Sequence, residues 1–89
     1  MTTLVYKYPL HGTDPIVVLP TAAEVLYVGA QNDVVCLWAR VPRFTIGLVE
    51  NRQFHVVCTG DPVDAKDKYH GTVMLNGGGV VLHVFEEVE

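Results

Sequence analysis

Turn-forming residues recur every few positions along these 89 residues, and this spacing leaves no room for a long helix. Glycine, proline, Asn and Asp favour turns because they adopt backbone angles, or supply local hydrogen bonds, that regular elements do not use. The runs between the turns are rich in Val, Ile, Leu, Tyr and Thr, which favour strands. The predicted turns fall at residues 9, 12–15, 20, 31–33, 42, 50–52, 60–62 and 76–79.

Seven short strands in a chain of this length predict one all-β domain over residues 1–89. The predicted architecture is a small antiparallel β-sandwich or a partly open barrel. One segment favours a short helix over 61–68, since Asp61 suits an N-cap, Pro62 the first helical position and Asp64 the first turn. The predicted strands cover residues 3–8, 15–19, 24–30, 34–41, 53–59, 71–75 and 80–86.

The composition indicates a folded chain that does not bind duplex nucleic acid. Hydrophobic residues make up 49%, which is too many for a disordered tail. The net charge of −4 opposes duplex binding, which depends on many cationic contacts to phosphates. No apolar run reaches the length of a membrane span, and the start resembles no signal peptide. Cys36 and Cys58 are therefore predicted to be free thiols in a reducing cytosol.

Alternation along the predicted strands separates an aliphatic face from a face that carries rings. In "VVCLWARV" the residues Val35, Leu37, Ala39 and Val41 point one way, and Trp38 with Arg40 points the other. The other inward sets are predicted to be Leu26, Val28 and Ala30; Phe54, Val56 and Cys58; and Val80, Leu82 and Val84. The opposite sets pair a ring with a hydrogen-bonding group: Tyr27 with Gln31, Trp38 with Arg40, His55 with Thr59, and His83 with Phe85.

A solvated sheet face normally carries Lys, Glu, Thr and Ser, so this ring-bearing face is expected to be covered. One cover is the protein's own second sheet, which would make the rings part of the core. A second is another copy of the chain. A third is a flat ligand with polar edges, because Trp and Tyr stack on nucleobases and an Arg fork fits phosphate.

The familiar catalytic motifs are absent, and no enzyme activity, cofactor or metal is expected. "NGGGVV" lacks the Lys and Ser or Thr of a P-loop and is typical of a hairpin turn. The four histidines are not spaced as zinc ligands. Cys58 alternates into the core with Phe54 and Val56, which predicts an inert thiol.

Two short stretches offer polar binding groups. In "CTGDP" Thr59 supplies a hydroxyl and Gly60 allows close backbone approach before a predicted helix N-terminus. This arrangement suits a bound anion. An ordinary capped turn would have the same sequence. In "YKYP" Tyr8 and Lys7 alternate, which also suits an edge strand with a solubilising lysine.

Several motifs together resemble a family of small proteins carried by phages, plasmids and their bacterial hosts. The resemblance spans residues 6–86, weakens across 42–52, and is found in "YKYPL", "AEVLYVGAQ", "CLWA", "TGDP", "YHGT" and "GGGVVLHVFE". The chain is similar to phage anti-defence sponges, which hold the cyclic nucleotide signals of CBASS immunity without cleaving them. That similarity implies a compact β-rich oligomer in the host cytoplasm. The sequence has Cys58 where the family usually has glycine and Asp61 where it often has histidine, which leaves the nucleotide preference open.

The resulting hypothesis is a non-catalytic sponge for a cyclic dinucleotide, 3′,3′-cGAMP being favoured, that acts as a homodimer or higher homo-oligomer without a membrane. Trp38 and Tyr8 would stack on bases, and Arg40 and Lys7 would pair with phosphates, which requires a bend in the edge strand. One alternative is a protein–protein inhibitor that docks its ring-bearing sheet face on a host defence or regulatory protein. Another is a homodimer with only a structural role in a phage or plasmid assembly. The predicted ligand-binding residues are Lys7, Tyr8, Trp38, Arg40, Thr59, Gly60, Tyr69 and His70.

Overall fold

The computed structural model describes residues 2–44 and 47–88 and has seven strands. A single 3₁₀ turn, Asn76–Gly78, joins the last two strands at the predicted glycine-rich turn. The strands are β1 Thr3–Pro9, β2 Ile16–Pro20, β3 Glu24–Gln31, β4 Val34–Pro42, β5 Val49–Cys58, β6 Lys68–Leu75 and β7 Val80–Glu86.

The strands form two antiparallel sheets, a three-stranded sheet with the order β1-β4-β3 and a four-stranded sheet with the order β2-β5-β7-β6. The predicted all-β fold is confirmed, and the arrangement is that of a small sandwich whose described strands form no closed barrel. The predicted turn at 50–52 is wrong. Those residues belong to β5 and pair with β2, Val17 lying opposite Arg52.

The predicted helix over residues 61–68 is also wrong. Residues 61–64 are irregular and a turn follows at 65–67. The Asp61 carboxylate accepts the N–H of Cys58, three residues earlier, at 3.1 Å, and the Asp64 carboxylate accepts the N–H of Lys66 at 2.9 Å. Both aspartates close local turns, which compete with the helix that the same residues would otherwise cap.

The inner faces of the two sheets enclose one apolar core. Val35, Leu37, Ala39 and Val41 of β4 are all buried, as their alternation predicts. The largest fully buried side chains are Phe54, Leu19, Leu37 and Val84, which come from both sheets.

A β-bulge in β3 corrects the predicted inward set Leu26, Val28 and Ala30. The register passes from Val25 opposite Ala39 directly to Tyr27 opposite Trp38, so Leu26 is an extra residue and stays 41% exposed. Val28 remains buried, whereas Ala30 is exposed near the end of the strand. A bulge resets the alternation within a strand, which a strict period of two does not anticipate.

The burial of the two cysteines differs from what strand alternation predicts. Cys58, the last residue of β5, is exposed and does not share the burial of Phe54 and Val56. Cys36 lies in the central strand of its sheet between Pro9 and Gly29, and it is buried although it belongs to the outer face. Both are free thiols.

A hydrogen-bonded ion cluster closes one end of the core. Arg52 binds both oxygens of Glu86, at 2.5 and 2.9 Å, and His70 donates to the same carboxylate at 2.7 Å. A further bond of 2.9 Å from Arg52 to the carbonyl of Ala23 fixes the loop that links the two sheets. Burial pushes the pKa of Glu86 upward, but the hydrogen bonds from Arg52 and His70 outweigh it and hold the pKa below its ordinary value.

We expect Glu86→Ala to lower the free energy of unfolding by about 3–5 kcal/mol, because Arg52 would lose its partner inside the protein. Glu24→Ala is the matched control, since Glu24 pairs with Arg40 at 3.6 Å but its side chain is 64% exposed; it should cost about 1 kcal/mol or less. Urea denaturation of both variants makes the comparison. Equal losses would contradict a stabilising role that depends on burial.

Strands β3 and β6 run close together where the two sheets meet, and Gly71 permits this approach. A Cβ at position 71 would lie 2.5 Å from Cγ2 of Val28, which is closer than van der Waals contact allows. Gly71→Ala should therefore destabilise the fold by about 1–3 kcal/mol.

A double-mutant cycle with Val28→Ala tests this contact directly. The two substitutions together should cost less than the sum of their separate costs, because the smaller side chain makes room for the new methyl group. Additive costs, measured by denaturant unfolding, would refute the contact.

Candidate ligand-binding surface

Three of the predicted ligand-binding residues share the outer face of the three-stranded sheet. Trp38 lies on the central strand β4, Lys7 is its cross-strand neighbour on β1, and Arg40 follows two residues along β4. Trp38 is half-buried and Arg40 is exposed. The burial of the alternate residues of β4 in the core is what directs these two side chains outward.

Tyr27 extends this surface from the third strand. It lies opposite Trp38, and the two ring centroids are 5.9 Å apart with a tilt of 44°. The Tyr27 ring lies over Gly29, where a Cβ would come within 2.6 Å of Cε2 of the ring. The missing side chain at position 29 thus lets the Tyr27 ring lie against the sheet beside Trp38.

Both cations of this face interact with solvent-exposed side chains. The Lys7 ammonium donates to Oε1 of Gln31 at 2.6 Å. Arg40 pairs with Glu24 at 3.6 Å, and the two side chains are 53% and 64% exposed. Such solvated contacts contribute little free energy, so both cations can exchange them for an anionic ligand at small cost.

We call this surface the Trp38 face. Its members are Lys7, Tyr27, Gln31, Trp38 and Arg40.

The structure does not bring the other five candidates to the Trp38 face. Tyr8 packs against the core, burial raises its pKa, and β1 pairs with β4 without the bend that stacking by Tyr8 would need. His70 lies inside, bound to Glu86. Tyr69, with Thr59 and Gly60, belongs to the four-stranded sheet or its edge.

The outer face of the four-stranded sheet has its own polar network. His83 lies between two hydroxyl groups, 2.7 Å from Thr59 and 2.9 Å from Thr72. The Tyr69 hydroxyl reaches Thr72 at 2.7 Å, and its ring contacts Phe85 at a centroid distance of 5.4 Å. The ring-bearing face seen in the sequence is thus two surfaces, one on each sheet, because alternation does not reveal which sheet a strand joins.

His55 of β5 contacts two segments that are distant from it in the sequence. The sequence analysis missed this cluster. His55 contacts Asp14 through Nδ1 at 2.7 Å and Glu87 through Nε2 at 3.0 Å. Carboxylates only accept, so both hydrogen bonds require the doubly protonated ring. The hydrogen bond to Asp14 is the main cause that raises the pKa of His55, and the bond to Glu87 adds to it.

The His55 cluster borders an open cleft of about 440 Å³ against the 61–67 loop. No sequence signal for this cluster exists, because Asp14 and Glu87 are far from His55 along the chain. Both ring nitrogens are occupied, so His55 has no free nitrogen with which to accept a proton from a substrate.

Within residues 2–44 and 47–88, no three His, Cys, Asp or Glu side chains are grouped so as to hold a metal ion. None of the helical segments described there has the length and apolar character needed to span a bilayer.

Comparison with known proteins places the chain in a family. One family model, described as a domain of unknown function (DUF7352), matches residues 1–89. The chain belongs to the DUF7352 family. No curated protein and no solved structure matches this DUF7352 chain significantly, so its function has to be argued from the surfaces described above.

The His55 cluster of this DUF7352 protein predicts a pH-dependent stability. A histidine whose pKa is raised on folding contributes fully below its unfolded-state pKa of about 6.5, and the contribution is lost as the pH rises through the folded value. The pKa of Asp14 is lowered, chiefly by the hydrogen bond from His55, so its contribution is lost as the pH falls through that lowered value. The cluster therefore stabilises most in the mildly acidic range.

His55→Gln should lower the free energy of unfolding more at about pH 5.5 than at about pH 8.5. Asp14→Asn should show the same trend, because it removes the main partner of the charged ring. Denaturant unfolding at the two pH values measures both differences. A loss of stability in His55→Gln that is independent of pH would exclude the charged cluster.

Proposed function

We propose that this protein is a non-catalytic sponge that binds and sequesters a cyclic dinucleotide, with 3′,3′-cGAMP as the favoured ligand. The observation that carries the proposal is the Trp38 face, on which two rings and two cations project from adjacent strands. The resemblance to anti-CBASS sponges suggests the ligand class and the setting, the blocking of antiphage defence in the host cytoplasm.

The rings supply a stacking platform. Tyr27 is 64% exposed and Trp38 half-buried, so each presents ring surface to solvent while the sheet supports it. Stacking of a nucleobase on such a ring contributes about 1–3 kcal/mol and does not depend on base identity. The sheet holds the rings in place beforehand, which reduces the entropy lost on binding.

The two cations lie close enough to Trp38 to pair with the phosphates of a nucleotide stacked on its ring. Lys7 is one strand away from Trp38, a spacing of about 5 Å, and Arg40 is two residues away, about 7 Å along β4. The Arg40 guanidinium can bind two phosphate oxygens at once. The net charge of −4 opposes this weakly, because charges beyond about 8 Å are screened at physiological ionic strength.

One flat face covers only one side of a ligand, so we propose that two copies of the chain enclose it. A cyclic dinucleotide has two bases and two phosphates in a nearly two-fold arrangement. Two Trp38 faces related by a two-fold axis would supply a ring and a cation pair to each half. The proposed active form is accordingly a homodimer or a higher homo-oligomer.

The positions of three of the four histidines support binding without cleavage. His55 and His83 have both ring nitrogens engaged, and His70 donates to the buried Glu86. None of these three rings lies on the Trp38 face. A ligand stacked on Trp38 would therefore lie on a different surface from these three rings, which supports binding without general-base catalysis by them.

A second candidate function, inhibition of a host defence or regulatory protein, is favoured by exposed apolar side chains outside the Trp38 face. Phe44 is 82% exposed and Leu48 is 73% exposed, both between β4 and β5. The guanidinium of Arg43 lies 5.6 Å from the centre of the Phe44 ring. Aromatic residues and arginine dominate the energetics of protein interfaces, so this loop suits a protein partner.

The sponge proposal predicts that Trp38→Ala leaves a folded protein that binds a cyclic dinucleotide roughly 5- to 150-fold more weakly, because one stacking contact is lost. Isothermal titration with 3′,3′-cGAMP and other cyclic nucleotides measures the change, and thermal melting checks the fold. Tyr69→Ala is the matched control, since Tyr69 is also an exposed ring but lies on the opposite sheet; its binding should be unchanged.

The alternative outcomes separate the candidates. No heat from any cyclic nucleotide at tens of micromolar would end the sponge proposal. Recovery of a linear product from the bound ligand would identify an enzyme instead. Stoichiometric capture of one host protein that is lost in Phe44→Ala but retained in Trp38→Ala would favour the inhibitor.

A further inference from the structure

Strand β2 leaves one edge of the four-stranded sheet open. It pairs with β5 on one side, and no strand within residues 2–44 and 47–88 pairs with its other side. Val17 and Leu19 are buried in the core, whereas Ile16 and Val18 are 61% and 56% exposed. The exposed pair consists of β-branched apolar residues, which favour strand pairing.

The hydrogen bonds that flank β2 show which of its backbone groups are free. The carbonyl of Pro15 accepts the N–H of Phe54 at 2.9 Å, and the N–H of Thr21 donates to the carbonyl of Leu48 at 3.2 Å. Odd-numbered residues thus direct their backbone groups toward β5. In an antiparallel ladder the direction alternates, so even-numbered residues direct theirs toward the open edge.

The other sheet edges are protected in ways that β2 is not. The edge strand β1 carries Lys7 and ends at Pro9, and both residues discourage pairing with another strand. Strands β3 and β6 run close to each other, so these two edges face the protein itself. Strand β2 also ends at a proline, Pro20, but it contains no charged residue, so no charge on the strand opposes a partner beside Ile16 and Val18.

We propose that two copies of this chain associate through β2, paired antiparallel about a two-fold axis at Val17. Ile16 of one copy lies opposite Val18 of the other, and each such pair exchanges both backbone N–H···O bonds. Pro20 has no N–H to donate, which disfavours a register centred on Val18, where Pro20 would lie opposite Ile16. The two four-stranded sheets become one continuous sheet.

The sequence of β2 fits a second copy of itself. Ile-Val-Val reads nearly the same in either direction, so the antiparallel pairing places a β-branched side chain opposite another. Asp14, the charged residue that precedes β2 along the chain, falls opposite Pro20 of the partner and not opposite a second carboxylate. An uncharged, self-complementary edge suits an isologous contact between two copies.

This interface is independent of the proposed ligand site. Strand β2 belongs to the four-stranded sheet, and the Trp38 face belongs to the other sheet. Failure of the β2 pairing would leave ligand binding by Trp38 untouched, and failure of ligand binding would leave the pairing untouched.

Sedimentation velocity of the full chain over a range of concentrations tests the interface. The wild type should form dimers, and Val18→Lys should raise the concentration at which half the protein is dimeric by roughly tenfold or more, since two cross-strand apolar pairs are lost. Val5→Lys is the matched control, because Val5 is also 56% exposed and gains the same charge but lies on β1 of the three-stranded sheet. It should dimerise as the wild type does.

Amide hydrogen exchange of the wild type gives a second readout that needs no variant. The Ile16 and Val18 amides should exchange more slowly as the protein concentration rises, while the Val17 and Leu19 amides, already bonded to β5, should not change. A wild type that stays monomeric, equal effects of the two lysine variants, or concentration-independent exchange at Ile16 and Val18 would overturn the proposal.

Discussion

Burial of the inner face of β4 is the constraint on which the rest of the structure depends. Leu37 and Ala39 are fully enclosed between the two sheets, and the side chains of a strand alternate, so Trp38 and Arg40 have to project outward. The same strand that forms the centre of the core therefore also forms the centre of the proposed binding surface. Its cross-strand neighbours add Lys7 and Tyr27 on the same side.

Local pattern was sufficient to predict most of the strands and the burial of β4, since both depend on residue type and a period of two. It failed where one residue breaks that period. The bulge at Leu26 exposes a side chain that strict alternation buries, and Cys58 is exposed at the end of its strand. The predicted helix at 61–68 failed because Asp61 and Asp64 bond backward or locally instead of starting a helix.

The composition of the candidate site was harder to predict, because it depends on how strands are assigned to sheets. Trp38 and Tyr69 looked alike in the sequence, but the topology puts them on opposite surfaces. The burial of His70 was even harder to predict from the sequence. It adjoins an irregularity in the pairing of β6 with β7 and contacts Glu86, and no period in the sequence reveals that a histidine will be held inside by a carboxylate.

The positions of the charged groups separate stability from binding. Arg52 and Glu86 satisfy each other inside the protein, where an unpaired charge would cost several kcal/mol, so neither is free to hold a ligand. Lys7 and Arg40 have exposed partners that contribute little free energy. An anion that reaches the Trp38 face can therefore recruit these two cations without weakening the core, which is the property that a binding protein without catalysis requires.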